Sequence, residues 1–276
     1  MTFREVIRFV YGLAMGTSTP FLKPTKRFLF PPAVVKVDEA LHLVMGGSCV
    51  CALLRGPEGF LLINANQGAA TRLLCREIEN QPVTVILSSV AADFSAGLGV
   101  ISGVEKVLVG SRELEAHGEL DGLKGKFEIV GEERIFTWGD ERVHVLAVAP
   151  AATGSDLVVF FEKRSVLFAG ALFYNHLQPV LRVGAGLEPT QWIAKLEMVL
   201  NRFSPARVVP GEGDVGSCED AREFLDYLRA LTNPEVEFRE CRAKYDWPEI
   251  RGFTSLEENF DLLRSKTKSY TSLARD

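Results

Sequence analysis

Histidine is scarce in this chain. Its 276 residues contain four, His42, His117, His144 and His176, and none forms an H-x-H or H-x-x-x-H pair. Such pairs are how a strand end or a helix face presents two imidazoles to one ion, so their absence argues against a histidine-built metal centre. There is no C-x-x-C pair among Cys49, Cys51, Cys75, Cys218 and Cys241. An odd set of cysteines, several inside apolar runs, reads as reduced and mostly buried thiols rather than a disulfide framework. No run reaches the ~20 apolar residues of a membrane-spanning helix. There is no basic stripe either. The formal net charge is −5, and the one basic cluster, Arg264, Lys266 and Lys268, reads as a solvated tail. Nucleic acid is therefore not an expected partner. Val6 to Met15 is apolar but is broken by Arg8 and preceded by Glu5, which fits a secretory leader poorly. The expected location is cytoplasmic.

What is present is an ordinary globular balance, 47% hydrophobic and 24% charged residues. Phe3, Val6, Ile7, Val10, Leu13 and Ala14 recur at helical spacing, so residues 1–33 are expected to form an amphipathic helix and an extended arm. That helix either packs on its own domain or docks on a partner, a homodimer included. From about residue 34, short apolar runs alternate with turns such as Gly46-Gly47 and Gly56-Pro57-Glu58-Gly59. Strands are expected at Leu41–Met45, Val50–Leu54, Phe60–Ile63, Val83–Leu87, Lys106–Val109, Phe127–Val130, Val143–Val148, Leu157–Phe161, Val166–Phe168 and Val208-Val209. Helices are expected at Ala69–Ile78, Trp192–Phe203 and Ala221–Leu231. Each half runs from several strands to a helix and a further strand, which predicts an α/β protein of two sheets with helices on the outer faces. Residues 34–232 form this domain and residues 233–276 a C-terminal extension. In the extension, Asp246-Trp247-Pro248 reads as a turn, and Ser255 with Glu258 as a capping box for a short helix to Leu263, followed by a frayed polar end.

Five blocks carry a resemblance. They are Leu62-Ile63-Asn64-Ala65-Asn66-Gln67-Gly68, the run from Val85 through Ser88-Ser89-Val90-Ala91-Ala92-Asp93-Phe94 to Gly97, the run Ala149-Pro150-Ala151-Ala152-Thr153-Gly154-Ser155-Asp156, Val166 to Leu172, and Val208-Val209-Pro210-Gly211-Glu212-Gly213. In order and spacing they resemble the L-I-D-x-G-x-G, T-H-x-H-x-D-H, G-P-x-H-T-x-G-D, V-L-F-x-G-D and V-V-P-G-H-G blocks of the metallo-β-lactamase superfamily. The nearest flavour is its quinoprotein-relay and sulfur-oxidation-associated branch. The resemblance implies an αββα four-layer sandwich of two mixed sheets.

It also shows what has been replaced. The five positions where the family carries histidine hold Ser89, Ala91, Phe94, Ala152 and Glu212, and the bridging-aspartate position holds Ala171. Asp93 alone survives of the usual ligands, and Asn64 stands for a structural aspartate. Alanine and phenylalanine have no lone pair to give a metal. The expectation is a pseudo-hydrolase with no cofactor and no bound metal, serving an unidentified small ligand or protein partner. The alternative is a metal-independent hydrolase or lyase using Asp93, Glu212 and His176, with His176 turned into the old pocket, although a lone histidine there reads more simply as a pocket-wall or surface residue. Three weaker candidates are set aside. Ser88 and Ser89 have no local base to make either a nucleophile. Gly211 to Gly216 matches G-x-G-x-x-G, but Glu212 and Asp214 would repel a pyrophosphate. Cys49 and Cys51 have no basic neighbour and read as structural.

Overall fold

The computed structural model describes residues 32–111, 113, 118–250 and 255–273. The N-terminal helix and His117 fall outside them. Among the described residues, twelve strands form two sheets. The first holds β1 (Ala33–Lys36), β2 (Leu41–Met45), β3 (Cys51–Gly56), β4 (Gly59–Ile63), β5 (Val83–Ile86), β6 (Val104–Val109) and β7 (Phe127–Ile129), in chain order. Its first four strands run antiparallel, and β4 to β7 are parallel. The second sheet has the order β12-β11-β10-β9-β8, from β8 (Glu133–Trp138), β9 (Glu141–Ala147), β10 (Leu157–Phe161), β11 (Val166–Tyr174) and β12 (Arg207–Glu212). Only β11 and β12 are parallel there. Both sheets are therefore mixed.

The alternation of side chains along each strand builds two cores. Leu41, Leu43, Leu54, Leu61, Ile63 and Ile86 of the first sheet meet Val143, Val145, Val159, Phe161 and Phe168 of the second between the sheets. The opposite-facing residues, such as Leu53, Leu62, Val85, Leu167 and Val208, pack under helices. Helix α1 (Ala69–Ile78) lies against the first sheet; α3 (Pro189–Phe203) and α4 (Cys218–Thr232) lie against β11 of the second. The four-layer order expected from the sequence is the one observed. The parallel strands β5, β11 and β12 all end at the same rim of the sandwich, and a four-residue helix, α2 (Ala92–Ser95), sits there after β5. At this rim the backbone is cross-tied: the Leu157 N–H donates to the Ser88 carbonyl at 2.9 Å and the Val50 N–H to the Gly211 carbonyl at 2.8 Å.

The C-terminal stretch adds α5 (Phe238–Tyr245) and α6 (Leu256–Leu273). The Ser255–Glu258 capping box is present, with the Glu258 N–H 3.2 Å from Ser255 Oγ and the Ser255 N–H 2.7 Å from Glu258 Oε2. The expected stop at Leu263 is corrected: α6 continues to Leu273. Arg264 is not a solvated tail residue. Its guanidinium donates to the Asn233 carbonyl at 2.6 Å and covers the Phe260 ring at 4.0 Å. No helix of the described residues is long and apolar enough to cross a membrane.

Candidate functional site

Asn64 follows β4 in a left-handed conformation, φ 64°, which asparagine tolerates better than most side chains. Its Oδ1 accepts from both the N–H and the hydroxyl of Ser88, at 2.9 and 2.8 Å, while its Nδ2 donates to the Val50 carbonyl at 3.1 Å. Asn66, fully buried, accepts from the N–H and hydroxyl of Ser48 at 2.8 and 2.9 Å. Ser48 Oγ also lies 2.6 Å from the Asp93 carbonyl, so its one proton is shared between that oxygen and Asn66 Oδ1. These uncharged links fix the loops after β4 and β5 and thereby the start of α2.

Ser89 points inward and is fully buried. Its hydroxyl lies 3.2 Å from Thr153 Oγ1 and 3.5 Å from Ser155 Oγ, and accepts from the Ala91 N–H. Thr153 in turn donates from its N–H and its hydroxyl to Asp156, at 2.6 and 2.7 Å. Burial raises the Asp156 carboxyl to about 7, against the pull of those Thr153 donors and of the Arg182 charge. Ala152 and Ala171, both buried, offer methyl groups alone. Phe94 is fully buried under Gly211, where an added Cβ would come within 3.3 Å of its ring.

The residue that organises the rim is Arg182, on the loop after β11. One guanidinium nitrogen donates to Asp93 Oδ2, the other to Tyr174 Oη at 3.0 Å and to the Val180 carbonyl at 3.1 Å. The guanidinium carbon lies 5.6 Å from the centre of the Phe94 ring. The Arg182 side chain is 12% exposed and that of Asp93 33%. Burial works against the Arg182 charge, but the Tyr174 and Asp93 oxygens outweigh it and push its pKa further up. Tyr174 is itself buried, and its phenol is pushed up to about 12, with the Arg182 charge opposing and the Glu212 charge adding. Asp93 and Glu212, the carboxylate pair expected from the sequence, thus both act on the Tyr174 phenol, and the Asp93 charge is answered by Arg182. No motif in the sequence contains Arg182. One signal was available: it is the only charged residue between His176 and Glu188.

His176 lies at the surface beside α4. Its imidazole is not turned to Asp93; Nε2 lies 3.1 Å from Glu223 of α4, the ring stands edge-on to Trp247, and the side chain is 47% exposed. The glycine-rich stretch from Gly211 to Gly216 leads into α4, where the Ser217–Asp220 capping box takes the N–H groups of Ser217 and Asp220. Cys49 and Cys51 are buried with their sulfurs 3.8 Å apart, and burial, then Cys51 and Glu212, push the Cys49 thiol well up. A cavity of about 570 Å³ lies at the opposite end of the parallel strands, lined by Asn80, Pro82, Ile101, Leu123 and Lys126 among others. Among the described residues, no three or more His, Cys, Asp or Glu side chains converge so as to hold a metal ion.

No protein-family model matches the chain, and no curated protein matches it by sequence. Solved structures do. A metallo-beta-lactamase from Pontibacter korlensis superposes with a TM-score of 0.61 at 20% identity, over 72% of this chain and 99% of that one. The DIM-1 metallo-beta-lactamase gives 0.58 at 17% identity, over 73% and 99%. The chain has the metallo-β-lactamase fold. A stereoselective inverting sec-alkylsulfatase, Pisa1 from Pseudomonas sp., also matches, with a TM-score of 0.62 at 14% identity over 87% of this chain. This chain spans half the length of that protein. Within the metallo-β-lactamase fold, the Arg182–Asp93–Tyr174 cluster lies at the rim to which the five sequence blocks converge.

Proposed function

We propose that this chain is a non-catalytic protein of the metallo-β-lactamase fold, in which an internal cation, Arg182, takes the place of the metal and the rim serves a ligand or protein partner. The observation that carries this reading is the guanidinium seated on Asp93, the one ligand-type residue left from the superfamily pattern. A hydrolytic zinc site needs imidazoles or carboxylates converging at about 2.0–2.2 Å, and the metal must lower the pKa of its water to about 7. The residues here do not fit that ion. Ala91, Phe94, Ala152 and Ala171 have no donor atom, Ser89 is bound within its hydroxyl cluster, and a divalent cation beside Arg182 would be repelled by it. The order of the blocks favours the quinoprotein-relay and sulfur-oxidation-associated branch as the origin of the frame. The alternative, a metal-independent hydrolase or lyase using Asp93, Glu212 and His176, is disfavoured because His176 pairs with Glu223.

The test is direct. Untagged protein should carry no stoichiometric zinc, iron or manganese by elemental analysis, and ester, lactone, thioester and β-lactam substrates should turn over at the background rate. A chelator should leave Tm unchanged, because a ligand stabilises the native state only if it is bound there. About one tightly held transition metal per chain, or turnover that Asp93→Ala abolishes, overturns the reading.

A further inference from the structure

The loop that carries Arg182 runs from the end of β11 to the start of α3, and its two ends are held in different ways. Its distal half is tied to the rim: the Gly154 N–H donates to the Ala185 carbonyl at 2.6 Å and the Glu188 N–H to the Ala151 carbonyl at 2.8 Å. Its proximal half is tied to the C-terminal extension. The Gln178 N–H donates to the Pro248 carbonyl at 2.9 Å, and Gln178 pairs with Glu249 as an isolated parallel bridge. The Gln178 side chain, fully buried, donates from Nε2 to the Tyr245 carbonyl at 2.8 Å and accepts at Oε1 from the Tyr227 hydroxyl at 2.8 Å. Asn259 of α6, also fully buried, donates from Nδ2 to the Pro179 carbonyl at 3.1 Å, three residues before Arg182.

A buried amide network of this kind is an unusual choice between packed helices. Replacing it with apolar side chains is often neutral for stability, and its best-attested use is to fix one register among alternatives. Here the network joins three helices, through Tyr227, Tyr245 and Asn259, to the Arg182 loop, which it meets at the Gln178 side chain and the Pro179 carbonyl. Resting on the reading of Arg182 given above, we propose that Gln178 and Asn259 are positioning residues. Through them the C-terminal extension acts as a strap that sets the guanidinium on Asp93, and loosening the strap frees Arg182 from the rim. The residues in question touch no reacting atom; they act through the loop.

The experiment uses the full chain with Asn259→Ala and, as a milder change, Tyr227→Phe, which removes a single hydroxyl from the network. Amide hydrogen exchange is followed by mass spectrometry, and the exposure of Arg182 is read by its rate of modification with an arginine-specific dicarbonyl reagent. Asn259→Ala should speed exchange in residues 177–187 about tenfold and raise Arg182 modification severalfold, with β5, β10 and β11 unchanged; Tyr227→Phe should move both in the same direction by less. Exchange in the loop that stays at the wild-type rate overturns the proposal. So does acceleration of the loop and the core strands by one common factor, since the extension would then be part of a single cooperative unit. If Asn259→Ala fails to fold, Tyr227→Phe is read against the same two outcomes. None of these readouts depends on metal content or turnover, so the strap fails or stands separately from the non-catalytic reading.

Discussion

At the scale of single residues, the energetics of the rim turn on one pair of opposite charges and one buried acid. Arg182→Leu leaves Asp93 without its guanidinium and Tyr174 without its donor. Removing one partner from a mostly buried ion pair costs about 3–5 kcal/mol, and the partial exposure of Asp93 puts the expected loss at the lower end, about 3 kcal/mol by urea denaturation. Arg182→Lys should fall between the two, because one ammonium cannot serve Asp93 and Tyr174 with a planar fork. A Leu variant as stable as wild type would show the pair to be energetically idle. Asp156 gives a pH signature. Burial raises its carboxyl from 3.8 to about 7, so between those values the folded chain holds a proton that the unfolded chain has released. Its contribution is fully present below 3.8 and is lost as pH rises through about 7, with a slope of at most about 1.4 kcal/mol per pH unit. Wild-type stability should therefore fall relative to Asp156→Asn across that interval. Parallel curves for the two proteins would remove Asp156 from the account.

At the scale of elements, the strands read from continuous apolar runs were found with small shifts at their ends, because a strand buried on both faces has few polar residues to disguise it. The elements missed were those with little to bury. β8 alternates half-buried and exposed positions at a sheet edge, β1 is mostly exposed, and α5 has only Cys241 and Tyr245 inside. The apolar run predicts an end at Phe168, whereas β11 runs to Tyr174, every residue buried. Small residues hid its second half: Ala169 and Ala171 flank Gly170, whose φ is 53°. The register against β12 slips on either side of Gly170. A Cβ there would stand 2.4 Å from Ser88 Oγ and 2.6 Å from Ser88 Cβ. Gly170→Ala combines a forbidden contact with an unfavourable φ, and the expected loss is about 2–3 kcal/mol. Ser88→Gly removes both clashing atoms but also the hydroxyl bond to Asn64, so the recovery is read against Ser88→Gly alone, in which Gly170→Ala should cost less than in the wild-type chain, the φ strain remaining. A single variant with unchanged chemical stability, or no recovery in the pair, would refute that contact. The same logic separates what the site disclosed from what it hid. The substituted ligand positions stood in recognisable blocks, whereas Arg182 lies in a loop whose position is fixed by Gln178 and Asn259, and Asn259 is far along the chain from the rest of the site.

At the scale of the whole molecule, the described residues after 232 pack into the same core as the sandwich. Cys241, Tyr245, Ile250, Leu256, Phe260 and Leu263 are all buried, and they cover Phe224, Tyr227 and Leu228 of α4 in one continuous core. Trp247 stacks on Tyr227 at 4.9 Å, and Tyr227 on Phe224 at 5.5 Å, so the aromatic layer passes without a break from the extension into the sandwich. Full burial of an apolar side chain contributes about 1.5–3 kcal/mol, and a whole domain is stable by only about 5–15 kcal/mol. Removing six such side chains, and uncovering their partners on α4, approaches or exceeds the entire margin. A chain ending at residue 232 should therefore lack a cooperative thermal transition and bind a dye for exposed apolar surface, as should a full-length chain carrying Phe260→Asp and Leu263→Asp together. A truncated chain that melts cooperatively within a few degrees of the full chain would place the domain boundary at 232 after all. It would also reduce the extension to an appendage that steadies the Arg182 loop without holding up the fold.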